Sequence, residues 1–417
     1  MSHAENGLPV GWHVARFDSF MRRVERKVLI DNEHEYSTVG VRWYGNGGFI
    51  REKLLGADIS RKQQWLIHSG DIVYNKLFAW KGSFAVAGTE VHGHLVSDKF
   101  PTYTLDETKV DPLYLAYFFR TTDLSIQAVR LSKGAAAISK LTLNPPQFWD
   151  LTIPLPEIPE QQQLVRILRE AEQRIMEARR LRSDADAEAD ALVTSAIGDR
   201  MAVYEATGCL ADVLSGKPRN GWSATCDNAE DGTPVLSLGA VTGFTYRPEE
   251  FKRTSEVTVP GAHYWLREGD LLITRSNTER LLGHAAIYDG DPSPCIYPDL
   301  MMRIPVDSKR ADTRFVYYWL RTAGVRATIE SAGRGTSSTM KKITQDDVLA
   351  LPFPASVSLA EQQRAVRRLD TIVESVAELR RVQTQTREHL DALFPALLDR
   401  ACHGELRVST PVATGAL

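Results

Sequence analysis

The chain has 417 residues, with 50 Lys and Arg against 53 Asp and Glu, a formal net charge of −3, and 43% hydrophobic residues. That length supports two to three domains with full cores, and the ordinary charged and apolar fractions exclude a disordered or fibrous chain. The near-neutral balance excludes a global basic field, so any nucleic-acid contact must come from local stripes of Lys and Arg.

Residues 1–153 are mixed in character. Asp71-Ile72-Val73-Tyr74 and Ser83-Phe84-Ala85-Val86-Ala87 read as strands between Gly-rich turns. Leu113, Leu115, Tyr117, Phe118 and Leu124 give residues 111–130 a helical pattern. Pro154, Pro156 and Pro159 then predict a stiff extended linker, because proline continues neither sheet nor helix. From Glu160 onward, Leu164, Leu168, Ala171, Ile175, Ala178, Arg182, Ala185, Ala189, Leu192 and Ala196 alternate at spacings of four and three. This is a heptad seam, mostly small or aliphatic apart from Arg182. About 40 residues at 1.5 Å each make a rod of roughly 60 Å, and Gly198 and Gly208 allow it to end.

Residues 209–351 repeat the mixed domain, and Pro352, Pro354 and Glu361 repeat the linker and helix start. Val366, Leu369, Val373, Val376, Leu379, Leu390, Leu393 and Leu397 supply a second seam, interrupted by Gln383 and Thr386. Either seam alone would stay wet. The simplest burial is an antiparallel pair of the two helices; the alternative is that each helix packs on its own domain.

The chain therefore contains itself twice. Glu160-Gln161-Gln162 returns as Glu361-Gln362-Gln363, 201 residues later, and the same offset carries Arg120-Thr121 onto Arg321-Thr322, Gly82 onto Gly283 and Asp98 onto Asp299. At nearby offsets Trp65 meets Trp265, and Gly70-Asp71 meets Gly269-Asp270. A period of about 200 residues is far longer than solenoid repeats of roughly 20 to 50. It describes two copies of a whole domain plus helix, and such a pair suits a two-fold partner or ligand.

Catalytic motifs are sparse. Asn144-Pro145-Pro146-Gln147-Phe148 is similar to the Asn-Pro-Pro-aromatic turn of amino-methyltransferases, which holds a flipped base. However, Gln147 occupies the aromatic position, no glycine-rich cofactor turn precedes it, and the second copy reads Thr344-Gln345-Asp346-Asp347. His92 and His94 lack acidic or thiol companions, and Asp98 and Asp299 read as fold residues. Cys209, Cys226, Cys295 and Cys402 are scattered, so neither a disulfide framework nor a metal site is expected, and a reducing cytoplasm is the expected setting. Residues 1–7 lack signal-peptide character, and no apolar run approaches the roughly 20 residues needed to span a bilayer.

Basic and hydroxyl-rich loops are more informative. Ser132 to Lys140, with Lys133, Ser139 and Lys140, corresponds to Gly333 to Lys342, with Arg334, Thr336, Ser337, Ser338, Lys341 and Lys342. Glycine lets amides converge, and hydroxyls and cations suit phosphate oxygens. Asn75-Lys76 with Trp80-Lys81, and Arg275 with Asn277 and Arg280, follow the matched Gly-Asp strands. Arg and Asn are the side chains that read guanine and adenine edges bidentately. Taken singly these read as solvated loops with ordinary charge; their recurrence in both copies makes DNA contact an equal alternative.

The order of these parts resembles the specificity (S) subunit of type I restriction-modification systems. Gly7-Leu8-Pro9-Val10-Gly11-Trp12 opens the chain, and two rounds of variable domain, Pro-x-Pro linker and Glu-Gln-Gln helix follow. Ala401-Cys402-His403-Gly404-Glu405-Leu406 is similar to the family's Gly-Glu-Leu ending. The resemblance implies a mixed α/β (α+β), pseudo-two-fold fold. Target recognition domains at residues 1–153 and 209–351 would be joined by linkers and long helices at 154–208 and 352–417, pairing as an antiparallel coiled coil. It implies a non-catalytic reader of double-stranded DNA, each domain taking one half of a split, asymmetric site while the helices set the spacer. Two modification subunits bringing S-adenosylmethionine would dock on the helices, with restriction-translocation subunits joining them. The chain itself would bind no cofactor.

Overall fold

The computed structural model describes residues 8–132, 141–335 and 340–406. It divides into two compact units, Met1–Leu181 with Thr384–Leu417, and Arg182–Gln383. Both cuts fall inside long helices, so each unit holds a mixed domain and half of each helix.

Unit 1 contains β1 (His13–Arg16), β2 (Met21–Val24), β3 (Lys27–Leu29), β4 (Glu35–Val41), β5 (Gly48–Leu55) and β6 (Gln63–Ile67). It continues with β7 (Ile72–Tyr74), β8 (Phe84–Val86), β9 (His94–Val96), β10 (Thr102–Leu105) and β11 (Thr152–Leu155). These form sheets in the orders β2-β10-β7-β8, β3-β6-β9-β4-β5 and β1-β11. The expected strands appear as β7 and β8, with Val73 opposite Ala85. All of β7 is apolar because its two faces serve different cores. Ile72 and Tyr74 join the cluster that includes the helices, whereas Val73 joins Val39, Val41 and Ile67 of the larger sheet.

The helical pattern at 111–130 resolves into α1 (Pro112–Phe118) and α2 (Asp123–Leu131). Asp111 caps α1 by accepting from the amides of Leu113 and Tyr114. The break falls where the Thr121 hydroxyl donates to the Phe118 carbonyl and Asp123 opens the next first turn. Next come α3 (Pro145–Phe148) and α4 (Ile158–Met201).

Unit 2 repeats the smaller sheet. It contains β12 (Gly208–Cys209), β13 (Arg219–Asn220), β14 (Thr233–Leu236), β15 (Phe251–Thr254) and β16 (Leu271–Thr274). Then come β17 (Ser276–Asn277), β18 (Ala285–Ile287), β19 (Met301–Ile304), β20 (Lys341–Lys342) and β21 (Pro352–Phe353). Its helices are α5 (Thr313–Leu320), α6 (Ala323–Ala332), α7 (Gln345–Leu349) and α8 (Leu359–Cys402). The order β13-β19-β16-β18 matches β2-β10-β7-β8, and β12-β21 matches β1-β11. In place of a five-stranded sheet, unit 2 has the pairs β14-β15 and β17-β20.

One expectation is corrected here. The first proline of each run, expected in a stiff extended linker that continues no sheet, lies in a paired strand. Pro154 lies in β11 opposite Val14, and Pro352 lies in β21 opposite Cys209. Both strands sit in two-stranded sheets, where an edge position tolerates the missing N–H. The first long helix stops at Met201, between Gly198 and Gly208, where the sequence allows an end.

The long helices pair antiparallel. In unit 1, Leu164, Leu168 and Ile175 near the start of α4 share a core with Phe394, Leu398, Ala401 and Cys402 at the end of α8. In unit 2, Ala189, Val193, Ile197 and Met201 share a core with Ala365, Val366, Leu369 and Val376. Each helix start also packs on its own domain, so both alternatives read from the sequence hold together. The seams drift from strict heptads. Leu192, Leu379 and Leu393 are exposed (56%, 43% and 53%), while Val193 and Phe394 are buried. A helix of 3.6 residues per turn drifts about 20° per heptad from a 3.5 repeat, nearly one residue over four heptads. Where apolar burial thins, ion pairs obey the repeat. Arg179 Nη2 lies 2.7 Å from Asp391 Oδ1, and Arg380 Nη2 lies 2.7 Å from Asp190 Oδ1. Both partners shift by the same 201 residues, so each unit holds its own copy of the pair.

Candidate nucleic-acid interface

The Gly-Asp strands turn out to be anchors. Gly70 and Gly269 take φ of 87° and 89°, which favours glycine. The next carboxylate accepts the amide three residues back, from His68 to Asp71 and from Arg267 to Asp270. It also takes an arginine, Arg26 on Asp71 and Arg303 on Asp270. The locks stand at the starts of β7 and β16, and the candidate residues follow the opposite ends of these strands, the rim of each unit.

On that rim the sequence-distant basic segments of unit 2 meet. In β17 and β20, Ser276 pairs with Lys342 and Asn277 with Lys341. Arg334 and Lys342 exchange two backbone hydrogen bonds of 2.9 Å, and Ile343 N donates to Arg275 O at 2.9 Å. Backbone pairing therefore brings Arg275, Asn277, Arg334, Lys341 and Lys342 together, and Arg280, a few residues on, is exposed. Arg275 is half-buried. Its Nη1 is 3.4 Å from the Asp299 carbonyl, and its Nε has no partner among the described residues. That leaves donors unspent. Lys342 is exposed, whereas Lys341 Nζ donates to Gly335 O and Arg334 is paired with Asp347. The Asn277 carboxamide oxygen accepts from Thr278 N at 2.8 Å.

Unit 1 has the same brace, since Leu143 N donates to Lys76 O at 3.0 Å. Asn75 differs from expectation. It is buried, and its Oδ1 accepts from Leu77 N, so it holds the turn instead of facing a ligand. Trp80 is tied through its indole N–H to the Leu77 carbonyl. Lys81 lies above the Trp43 ring, with Nζ 3.6 Å from the centroid. Lys133, Ser139, Lys140, Thr336, Ser337 and Ser338 lie outside the described residues.

The methyltransferase-like turn is overturned as a site. Phe148 is fully buried, stacked 4.2 Å from Tyr103 and 4.6 Å from Tyr74, so no base can lie on it. Among the described residues no cluster of His, Cys, Asp and Glu could hold a metal ion, and no helix is long and apolar enough to cross a membrane. Cys295 is buried, and burial pushes its thiol up to about 12.

The sequence reading missed two features. The middle residue of each Glu-Gln-Gln, Gln161 and Gln362, is fully buried. Gln161 Oε1 accepts from Asp111 N at 2.8 Å, and its Nε2 donates to the carbonyls of Lys109 and Pro156. Gln362 repeats this with Asp312, Arg310 and Val357. Each glutamine thus clasps a long helix to its domain. A glutamine three positions before a fully buried apolar residue, Leu164 in one copy and Ala365 in the other, was the available signal. The second feature is His284, whose ring lies 4.3 Å from Phe244 and accepts from Gly243 N. Burial, then the nearby Arg326 charge, pushes it down to about 4 from the ordinary 6.5. Stability from neutral His284 is therefore complete above pH 6.5 and is lost as pH falls towards 4. Acidification through that window should lower the melting temperature of the wild type more steeply than that of His284→Asn. Equal slopes would remove His284 from the account.

No family model matches the chain. Over 187 residues, 43% of this chain, it is 25% identical to the type I restriction enzyme EcoEI specificity subunit of Escherichia coli. The match spans 31% of that relative's length. An HsdS subunit from Thermoanaerobacter tengcongensis superposes with a TM-score of 0.57 at 20% identity, covering 97% of this chain and all of that one. The chain has the HsdS fold. A chain from a structure concerned with assembly and conformational transition of the type I R-M system matches at TM-score 0.66 and 21% identity, covering 96% of this chain and 99% of that one. The resemblance read from the sequence is thus borne out, and the duplicated rims belong to an HsdS-like framework.

Proposed function

We propose that the chain is the DNA-recognition subunit of a type I restriction-modification complex. Residues 1–153 and 209–351 act as target recognition domains, each reading one half of a bipartite, asymmetric double-stranded site. The segments 154–208 and 352–417 fix the spacer and dock two methyltransferase subunits, which carry S-adenosylmethionine. Restriction-translocation subunits complete the nuclease, and the assembly works in the cytoplasm without catalysis by this chain. The observation that carries this reading is the duplicated rim. Lys76 and Arg275 are braced alike by Leu143 and Ile343, in units that differ outside their two matching sheets. Scaffold alike and rims unlike is what two different half-sites require. Modest net charge fits, because partner subunits can neutralise much of the phosphate backbone.

Mapping methylated adenine in host DNA with and without the gene tests the proposal. A bipartite motif that disappears on deletion supports it, and an unchanged methylome overturns it. A protein scaffold without DNA contact would give no sequence-specific, salt-sensitive binding in the assembled complex. Within the second half-site, Arg275→Ala should relax base preference and weaken specific binding by about tenfold to a hundredfold. Lys342→Ala should weaken all DNA alike and reduce the salt slope by about one. Competition assays over a salt series separate the two, and a uniform loss for Arg275→Ala would make it a phosphate contact.

A further inference from the structure

Among the described residues, three non-glycine residues have positive φ: Tyr44 (58°), Asn228 (55°) and Phe244 (58°). Asparagine visits that region readily; bulky aromatic residues do so only under constraint from their surroundings. Tyr44 and Phe244 stand 200 residues apart, at corresponding places in the two units.

In unit 1 the constraint is visible. Tyr44 N donates to Lys81 O at 2.9 Å, Gly45 N to Gly82 O at 2.8 Å, and Arg42 N to Gly47 O at 2.9 Å. A Cβ at Gly45 would fall 2.3 Å from the Phe119 carbonyl oxygen. The loop is thus clamped from both sides, onto the segment that carries Lys81. It nevertheless leaves both rings open to solvent in part, Tyr44 62% and Trp43 42% exposed, the latter also 5.8 Å from the Phe78 ring. The two rings meet edge to face at 6.5 Å, and Lys81 Nζ sits 3.6 Å from the Trp43 centroid. Unit 2 treats its apex differently. The Phe244 ring is partly buried, with the Arg321 and Arg326 guanidinium groups each 5.4 Å away.

Exposed rings on a strained, fixed loop beside a cation cost folding free energy, and such strain collects at functional sites. Rings displayed on a rigid loop suit insertion between base pairs at a deformable step, with the cation taking a flanking phosphate. We propose that Trp43 and Tyr44, beside Lys81, form an aromatic wedge that unstacks a base step in the first half-site. This rests on the DNA-recognition reading above and adds its mode of contact. Unit 2, with its ring covered, reads its half-site without such a wedge.

The complex with its methyltransferase subunits is tested on a duplex that the wild-type complex selects from a random pool, with 2-aminopurine placed along the first half. Tyr44→Asn keeps the left-handed backbone and removes the ring, so it should hold or raise the melting temperature. Its specific affinity should fall about tenfold, from the loss of stacking, with the salt slope unchanged. Tyr44→Phe should bind as the wild type does. 2-Aminopurine should brighten when wild type binds and stay dark with Tyr44→Asn. The wedge is overturned by Tyr44→Asn binding within about twofold of wild type. It is equally overturned by an affinity loss with unaltered fluorescence, or by an equal loss on random DNA with a shallower salt slope. A wild-type complex that selects no sequence overturns the underlying recognition reading instead.

Discussion

Phe148→Ala should destabilise unit 1 by about 4 kcal/mol, the usual cost of emptying a buried aromatic site. The ring lies within 5.1 Å of Phe17, edge on, and stacks on Tyr103 and Tyr74 at 4.2 and 4.6 Å. Those neighbours belong to β7, β10 and the segment after β1, so the cavity would open at the junction of the smaller sheet and α3. Collapse around it is limited, since Tyr74 is itself held by its hydroxyl donating to Leu143 O. Thermal unfolding should show a drop of about 10 °C. Asn144→Ala supplies the contrast. Asn144 stands at the N-cap of α3 but its side chain makes no capping hydrogen bond. Its loss should cost under about 1 kcal/mol and leave methylation by the assembled complex intact. A stable Asn144→Ala protein whose complex no longer methylates DNA would restore the catalytic reading.

Gln161→Leu should cost unit 1 about 3 kcal/mol, and Gln362→Leu should cost unit 2 a similar amount. Leucine fills the volume but strands the Asp111 amide and the carbonyls of Lys109 and Pro156. Each stranded buried group costs about 1–3 kcal/mol, discounted here because two of the three are only partly buried. The first glutamine also sits beside Glu160, whose carboxylate accepts the indole N–H of Trp12 at 3.1 Å. Loosening the clasp therefore loosens the attachment of α4 to the chain's opening segment. Gln162 and Gln363 are exposed, so alanine there should shift stability by no more than about 0.5 kcal/mol. Urea unfolding of the four variants tests the assignment. Equal effects at buried and exposed positions would show that the motif is kept for another reason.

Much of the fold was legible because it was written twice. A duplicated Glu-Gln-Gln, a duplicated Gly-Asp and two apolar seams are patterns that a single chain displays without any partner. A 3.5-residue period places Leu192, Leu379 and Leu393 on the seam, while the helices follow a pitch closer to 3.6 and turn those side chains outward. The prolines were read as a linker because sequence does not reveal which strand lies at an edge. Asn75 was read as a base contact from residue type alone, although its carbonyl oxygen was already needed by Leu77 N.

The sequence by itself determined the duplicated plan, the two long helices with apolar seams and the basic character of segments 275–280 and 334–342. Those follow from periodicity, repetition and charge, which are properties of neighbouring residues. Only the tertiary structure decided that Asn277 and Lys341 stand side by side, that Gln161 closes on Asp111, and that Tyr44 is held left-handed under Lys81. These are pairings between residues 37 to 64 positions apart. Strand register and packing fix them, and local propensity carries no term for either.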